Sequence, residues 1–268
     1  MQLGITTVQR DRAPWIKEWV AFHYLIGFRK FYVFLHNCQD DTGDVLDGLK
    51  KHFDIKTFIR NSDMNIPEKE SYQYSCDNFL KDVDWMAFID GDEFLFPVAD
   101  DAMESALAKF NDKNISALGI YWRCFGSSGY VAEPAGLIIE NYRQRAPDHY
   151  HNNRHIKSIV RGGQTGVYHI DSHLFKTPLG TYDENLRFVT GGGLTGYDPT
   201  YNIFCVNHYI LQSRSHFLKF KAPSEYSCFD GVIEERSEDW WEEHNRNDVL
   251  DNSMDRFIGP LKKILGSI

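Results

Sequence analysis

The first 125 residues alternate between short apolar runs and segments with helical periodicity, and this alternation constrains the fold more than any other feature. Strand-like runs occupy residues 3–8, 31–35, 55–59, 85–89 and 117–122. Helical segments lie between them, at residues 14–27, 44–51, 68–80 and 100–110. Strands that alternate with helices form a parallel sheet covered on both faces. The sequence therefore predicts an α/β fold with a central, mostly parallel sheet flanked by helices.

The second half of the chain has a different character. Residues 126–207 are rich in glycine and predict short strands and loops of the kind that build a site onto a scaffold. The polar pattern of residues 213–221 and 237–250 predicts surface helices. Neither a fixed-period repeat nor a low-complexity linker divides the 268 residues. We therefore expect a single domain, 1–268, with a loop-rich second half.

Charge and cysteine content exclude several classes of partner. The chain carries 29 basic and 38 acidic residues, for a net charge of −9, which argues against a nucleic-acid surface. It has no run of apolar residues long enough for an integral membrane segment. The five cysteines are scattered and form no C-x-x-C pair, which indicates free thiols. We expect a cytoplasmic protein, with peripheral attachment to a membrane left open.

Two carboxylates stand directly behind the most apolar strand-like run. Asp90 and Asp92 follow residues 85–89, and Gly91 between them allows a tight turn. Ligands of open α/β sheets bind beyond the carboxyl ends of the strands. Paired carboxylates at such a place suit Mn²⁺ or Mg²⁺, which bridge to phosphates of a ligand. A solvated Asp-Gly turn is the alternative explanation.

Other polar residues could complete such a site. His208 also ends an apolar run and could close the same metal shell, although a histidine at the edge of the core explains it equally well. Lys157 and Arg161 belong to a basic cluster in residues 143–161 of an otherwise acidic chain. Such a cluster could bind phosphate, or it could be one solvated face of a strand.

With these features, the chain resembles bacterial glycosyltransferase-2-like proteins related to glycosyltransferase family 92. The resemblance covers most of the chain and rests on several motifs in order. They are Trp15–His23 followed by Gly27, Trp85–Phe94, Trp122–Gly129, Arg154–Arg161, Asp183-Glu184-Asn185 and Asn207-His208-Tyr209.

The chain departs from this family's pattern at three places. Gln9-Arg10-Asp11 stands where Lys-Asn-Glu is usual, His36-Asn37 where Asp-Asn is usual, and Gln212-Ser213 where Lys-Ser is usual. All three positions lie near where a nucleotide would bind in the family. The donor preference could therefore differ from that of relatives.

The resemblance implies a GT-A fold and a glycosyltransferase that uses a nucleotide-sugar donor, a UDP- or GDP-sugar, and inverts the configuration at the anomeric carbon. The acceptor would be a glycan or another hydroxyl compound. Residues 1–125 would form the nucleotide-binding half and residues 126–268 the acceptor-binding half.

The same resemblance suggests roles for individual residues. Asp90, Asp92 and His208 would hold Mn²⁺ or Mg²⁺, and Asp183 or Glu184 would act as the catalytic base. The donor would contact Thr7, Gln9, Arg12, Asn37, Asp40, Asp90, Lys157 and Arg161.

Two alternatives remain open on the sequence. One is a phosphate-ester hydrolase in which Asp90 is the nucleophile. The other is a non-catalytic relative that binds a glycan or a nucleotide, which the departure at Gln9-Arg10-Asp11 keeps open.

Overall fold

The protein is described by a computed structural model that covers residues 1–61, 67–190, 193–223, 226–227, 233–234 and 236–268. The helices are α1 Ile16–Leu25, α2 Thr42–Leu49, α3 Pro67–Phe79, α4 Met103–Ala108, α5 Ile138–Asn141, α6 Arg214–His216, α7 Glu238–His244 and α8 Asp255–Leu265. Short 3₁₀ turns span Leu80–Asp82 and His151–Arg154, and Phe217–Lys221 forms a π-helix.

The strands are short after the first half of the chain, as the sequence predicts. They are β1 Leu3–Gln9, β2 Lys30–His36, β3 Asp54–Arg60, β4 Trp85–Phe88, β5 Glu93–Pro97, β6 Ala117–Cys124, β7 Gln144–Arg145, β8 Ile156–Arg161, β9 Tyr168–His169, β10 Phe175–Lys176, β11 Thr181–Tyr182, β12 Phe204–His208, β13 Tyr226–Ser227, β14 Ile233–Glu234 and β15 Val249–Leu250.

Within the described ranges, nine strands form one sheet in the order β3-β2-β1-β4-β8-β6-β12-β5, with β11 also paired to β6. The pairs β1–β2, β2–β3, β1–β4, β6–β12 and β6–β11 are parallel. Strand β8 is antiparallel to both β4 and β6, and β5 is antiparallel to β12. The predicted α/β fold with a mostly parallel central sheet is confirmed.

This pairing determines where the polar strand ends meet. Strands β4, β6 and β12 run in one direction, so their carboxyl ends reach one edge of the sheet. Strands β8 and β5 run in the opposite direction, so their first residues reach that same edge. We call it the carboxyl edge. Residues 90–92, which connect β4 to β5, therefore lie beside the beginning of β8 and the end of β12.

Several segments differ from the sequence predictions. Strand β5 follows the 90–92 turn at once and was not predicted, and neither was α8. The helix predicted over 237–250 ends at His244, because Val249 and Leu250 instead pair with Arg145 and Gln144 of β7. Such pairing across the chain is a tertiary interaction that local periodicity does not record.

Buried aromatic residues join helix α1 to the sheet in the largest core cluster. Trp19 and Phe22 of α1 are fully buried, as is Trp85 of β4. The cysteines at positions 38, 76, 124 and 205 are free thiols, as expected, whereas Cys228 lies outside the described residues. Among the described helices, none has both the length and the apolar character needed to cross a bilayer.

Candidate functional site

The turn at residues 90–92, here called the acidic turn, is held in place from several sides. The backbone N–H of Asp90 donates to the Glu93 carboxylate at 2.8 Å. From α1, the indole N–H of Trp19 donates to the carbonyl oxygens of Asp90 and Glu93 at 3.1 and 2.9 Å. Arg12 donates to the carbonyl of Gly91 at 2.9 Å. The position of the acidic turn is thus determined by the buried scaffold.

Gly91 allows a close approach to the end of β1. A Cβ atom at this position would lie 2.1 Å from Oε1 of Gln9 and 2.6 Å from its Nε2. The Gln9 side chain is buried and donates to the hydroxyl of Thr7 at 2.6 Å. Because no side chain intervenes, Gln9 packs directly against the backbone of the acidic turn.

Asp90 forms an ion pair with Lys157, the second residue of β8. The Nζ atom of Lys157 lies 2.7 Å from Oδ2 of Asp90 and 3.6 Å from Oε1 of Glu93, and it donates to the Ser172 carbonyl at 3.0 Å. The hydroxyl of Tyr72 donates to Oδ1 of Asp90 at 3.2 Å. Burial lowers the pKa of Lys157, but the carboxylates of Asp90, Glu93 and Glu68 together outweigh it, and the net shift of the pKa is upward. Lys157 therefore stays charged.

Asp92 has different partners, which come from the second half of the chain. Lys221 donates to its Oδ2 atom, and the Nε2 atom of His208 lies 3.7 Å from its Oδ1 atom. Burial would raise the pKa of Asp92, but the nearby cations, with Lys221 foremost, hold it well below its usual range. Burial lowers the pKa of His208 to about 3. At neutral pH an ionised carboxylate therefore faces an uncharged imidazole.

Trp122 and two further histidines form the wall beside His208. The Trp122 ring lies 4.1 Å from the ring of His208, 4.8 Å from that of His155 and 5.1 Å from that of His173, measured between centroids. Burial lowers the pKa of both His155 and His173. This wall is therefore uncharged and aromatic.

Several buried polar atoms around the acidic turn have no hydrogen-bond partner in the described part of the chain. They are Oε1 of Gln9, Nε of Arg12, Oε1 of Glu93, Nε1 of Trp122 and Nδ1 of His208. Buried polar groups in native proteins are nearly always paired, with protein, water or a ligand. These atoms at the carboxyl edge are therefore available to water or to a polar ligand.

The donor atoms fit a divalent cation at Asp92 and His208. An ionised carboxylate and a neutral imidazole together suit Mn²⁺. Asp90 is engaged by Lys157 and Tyr72 instead. Within the described ranges, three ligand atoms of such residues come within 4.8 Å of one another only at Asp11, Cys38 and Asp40. Asp92 and His208 would therefore supply two ligands, leaving other positions for phosphate oxygens or water.

The residues predicted to contact the nucleotide lie at the ends of β1 and β2. Thr7, Gln9 and Arg12 are buried there. Asn37 adopts a left-handed backbone with φ of 49°, and Asp40 accepts from the backbone N–H of Ala13 at 2.9 Å. Their contact with a nucleotide remains a prediction.

Arg161 does not share this site. It ends β8, so it lies at the sheet edge opposite Lys157, where it donates to the carbonyls of Phe110 and Ile115 at 2.8 and 3.1 Å. Its guanidinium also stacks over the ring of Trp85, 4.4 Å from the centroid. These contacts tie β8 to the neighbouring loop and leave Arg161 away from the acidic turn.

Asp183 and Glu184 follow β11, which β6 and β8 separate from β4. Asp183 accepts from the backbone N–H groups of Asn185 and Arg187 and from the guanidinium of Arg187. Glu184 accepts from the backbone N–H groups of residues 202, 203 and 204. Both carboxylates thus organise loops, and the catalytic role assigned to them from the sequence remains a prediction.

Three residues near the acidic turn were not identified from the sequence. Tyr72 and Glu68 are four residues apart on α3, so they lie on one face of this helix. Burial and the charge of Asp90 raise the pKa of Glu68 to about 7. The i,i+4 spacing on a helix that precedes β4 is a signal that could have pointed to them. Lys221 carries no comparable signal, since its position depends on how residues 209–221 fold back.

The fold and the site define an α/β protein with paired carboxylates at the carboxyl edge of its sheet. The model of glycosyltransferase family 92 matches residues 4–187, so the chain belongs to this family. It is 28% identical over 166 residues to a glycosyltransferase family 92 protein of Ricinus communis, covering 60% of this chain and 28% of the relative. A family 92 protein of Oryza sativa subsp. japonica is 25% identical over 161 residues, which cover 59% of this chain and 26% of that relative. The chain thus spans little more than a quarter of these curated relatives.

Solved structures show a weaker likeness. S. aureus TarS in complex with UDP-GlcNAc gives a TM-score of 0.45 at 11% identity and covers all of this chain and 73% of that one. The mannosyltransferase PcManGT of Pyrobaculum calidifontis, in complex with GDP-Man and Mn²⁺, gives a TM-score of 0.35 at 15% identity. This match covers 46% of this chain and 36% of that one. With TM-scores below 0.5, the family assignment comes from the sequence match alone.

Proposed function

We propose that this protein is a metal-dependent glycosyltransferase that moves a sugar from a nucleotide-sugar donor to a hydroxyl acceptor. The observation that carries the proposal is the pairing of ionised Asp92 with unprotonated His208 at the carboxyl edge, in a chain of family 92. Two unpartnered donors near the acidic turn, Nε of Arg12 and Nε1 of Trp122, support it, because the oxygens of a diphosphate could accept from them.

In this proposal the residues of the site divide the work. Asp92 and His208 hold Mn²⁺ or Mg²⁺, which when bound neutralises charge on the departing diphosphate. The ion pair with Lys157 holds the Asp90 carboxylate in place, and the remaining lone pairs of Asp90 can accept a hydrogen bond from the donor. The indole N–H of Trp122 is free to donate to a sugar or phosphate oxygen. A carboxylate takes the proton of the attacking hydroxyl, with Asp183 and Glu184 as the candidates. Inversion at the anomeric carbon is part of the proposal.

The two alternative functions have less support. The family match offers nothing for the hydrolase, and the ion pair with Lys157 and the hydrogen bond from Tyr72 already engage both oxygens of Asp90, its proposed nucleophile. A non-catalytic relative would bind the same ligands as the proposed enzyme but would not transfer the sugar. Release of free nucleoside diphosphate from a nucleotide sugar, with an acceptor present, would separate the two.

The binding test compares thermal unfolding with UDP or GDP, in Mn²⁺ and in EDTA. We expect stabilisation only with the metal, of about 2.7 kcal/mol at a hundred times the dissociation constant. Asp92→Asn should remove the effect while the protein stays folded. Asp101→Asn, a change at a fully exposed carboxylate, is the control and should behave as the parent does. Equal stabilisation by the nucleotide in EDTA would contradict the proposed role of the metal.

A further inference from the structure

Each aspartate of the acidic turn has its own lysine, and the two lysines are held very differently. Lys157 comes from the central sheet, its side chain is 1% exposed, and it has Ser172 as an additional hydrogen-bond acceptor. Lys221 ends a π-helix, and its side chain is 21% exposed. The pair with Asp90 is thus built into the sheet, whereas the pair with Asp92 joins the sheet to a peripheral element.

The π-helix aims Lys221 at Asp92 through contacts on its other residues. The Phe217 ring packs against Trp240 and Trp241 at centroid distances of 5.9 and 5.0 Å. The Phe220 ring packs against Trp15 at 5.4 Å. The backbone N–H of Ala222 donates to the Phe217 carbonyl at 2.8 Å, an i→i+5 bond. Turns of π-helix are rare and often occur at functional sites.

The ammonium of Lys221 contacts the same carboxylate that would bind the metal. Asp92 is 8% exposed, so its oxygens offer little room for two cations. A divalent ion that enters beside His208 must therefore compete with the charge of Lys221, because like charges at such short range repel strongly. Lys157 does not compete in this way, since it contacts Asp90.

We propose that Lys221 is an internal counter-cation of Asp92 that a divalent metal displaces, and that the displaced ammonium then pairs with the diphosphate of the donor. The inference rests on the proposed function. The displacement makes the metal and the diphosphate cooperative ligands. When the metal binds alone, the free energy of the Asp92–Lys221 pair is lost, whereas a diphosphate gives Lys221 a new anionic partner. By linkage, each ligand then raises the affinity for the other.

The test measures Mn²⁺ affinity by titration calorimetry, with and without UDP, in four proteins. They are the parent, Lys221→Met, Lys221→Arg and Lys219→Met. Lys219 lies on the same π-helix, is exposed and has its ammonium near the Phe220 ring, so its variant is a matched loss of charge. In Lys221→Met we expect Mn²⁺ alone to bind about tenfold more tightly and UDP to raise Mn²⁺ affinity by a smaller factor than in the parent. The other two variants should resemble the parent.

The outcomes separate this inference from the proposed function. If the parent binds Mn²⁺ through Asp92 and Lys221→Met binds it with the same affinity and the same response to UDP, the role of Lys221 is refuted while the function stands. If Lys219→Met tightens Mn²⁺ as much as Lys221→Met does, the effect is one of general charge, and the inference is again refuted. If no protein of the set binds Mn²⁺ with or without UDP, both the inference and the metal-dependent function fall.

Discussion

The Nε2 atom of His208 lies 3.7 Å from the Oδ1 atom of Asp92, although the two residues are far apart in the sequence. The contact arises because β12 ends and β5 begins at the same edge of the sheet, where His208 and Glu93 are paired. Each residue alone has an ordinary structural explanation. Only their combination, in a buried place, provides two ligands for the proposed metal.

Replacing His208 by alanine should weaken Mn²⁺-supported binding of UDP by about tenfold, which corresponds to about 1.4 kcal/mol. The imidazole would be one of two protein ligands to the ion, and water replaces it poorly. Calorimetry with UDP and Mn²⁺ measures the change. His173→Ala is the matched control, because it also removes a ring from the Trp122 wall but not a neighbour of Asp92. Equal losses in both variants would show that the wall, and not metal coordination, is what matters.

Replacing Gly91 by alanine should push away the end of the Gln9 side chain and cost about 1–3 kcal/mol of unfolding free energy, as overpacking usually does. Chemical denaturation measures this loss. The double variant Gly91→Ala with Gln9→Ala should recover most of the stability, since the clash involves only the Gln9 amide. UDP binding should not recover if Gln9 contacts the nucleotide. Binding at parental strength in the double variant would remove Gln9 from the donor site.

Amide replacements at Asp183 and Glu184 should each destabilise the fold by about 1–3 kcal/mol. Both oxygens of each carboxylate accept hydrogen bonds, so an amide must turn its NH₂ group toward a donor. Chemical denaturation of Asp183→Asn and Glu184→Gln measures this loss of unfolding free energy. A catalytic base would add a loss of kcat of about 10²–10⁴ at a temperature where the variant is folded. Folded variants with parental kcat would exclude both residues as the base.

Acid should destabilise the protein through its buried histidines, and His23 offers a clean test. Burial lowers the pKa of His23 to about 3, while its ring accepts from the Leu95 N–H and bonds to the Trp19 carbonyl. Below an unfolded pKa near 6.5 the unfolded chain binds the proton that the folded chain excludes. The unfolding free energy should therefore fall as the pH drops from about 6.5 toward 3, by up to about 1.4 kcal/mol per pH unit.

Urea denaturation of His23→Gln across this range checks the sign. The slope of unfolding free energy against pH should be shallower than in the parent by up to that amount. His52→Gln, at an exposed position, is the control. An unchanged slope in His23→Gln would mean that His23 is already protonated in the folded protein.

Sequence periodicity predicted the first half of the fold well because its elements are long and their burial is periodic. Strand β1 and helix α1 fall within two residues of the predicted bounds. The predictions were poorer after residue 126, where two-residue strands such as β7 and β15 exist only through their pairing. The segment predicted as a helix over 213–221 became a short α-helix followed by a π-helix, whose last residue reaches Asp92.

The sequence by itself determined the α/β class and the acidic turn, because a buried strand must end in a turn and the two carboxylates stand in it. The tertiary structure decided which charges surround that turn. It brought Lys157 to Asp90 through the antiparallel pairing of β8, and His208 and Lys221 to Asp92 through the return of the chain after β12. It also placed Arg161 at the edge of the sheet opposite the carboxyl edge, because Arg161 ends β8 and Lys157 lies near its beginning. The physical reason is that periodicity reports only which face of an element is buried, whereas a site depends on which strand ends meet.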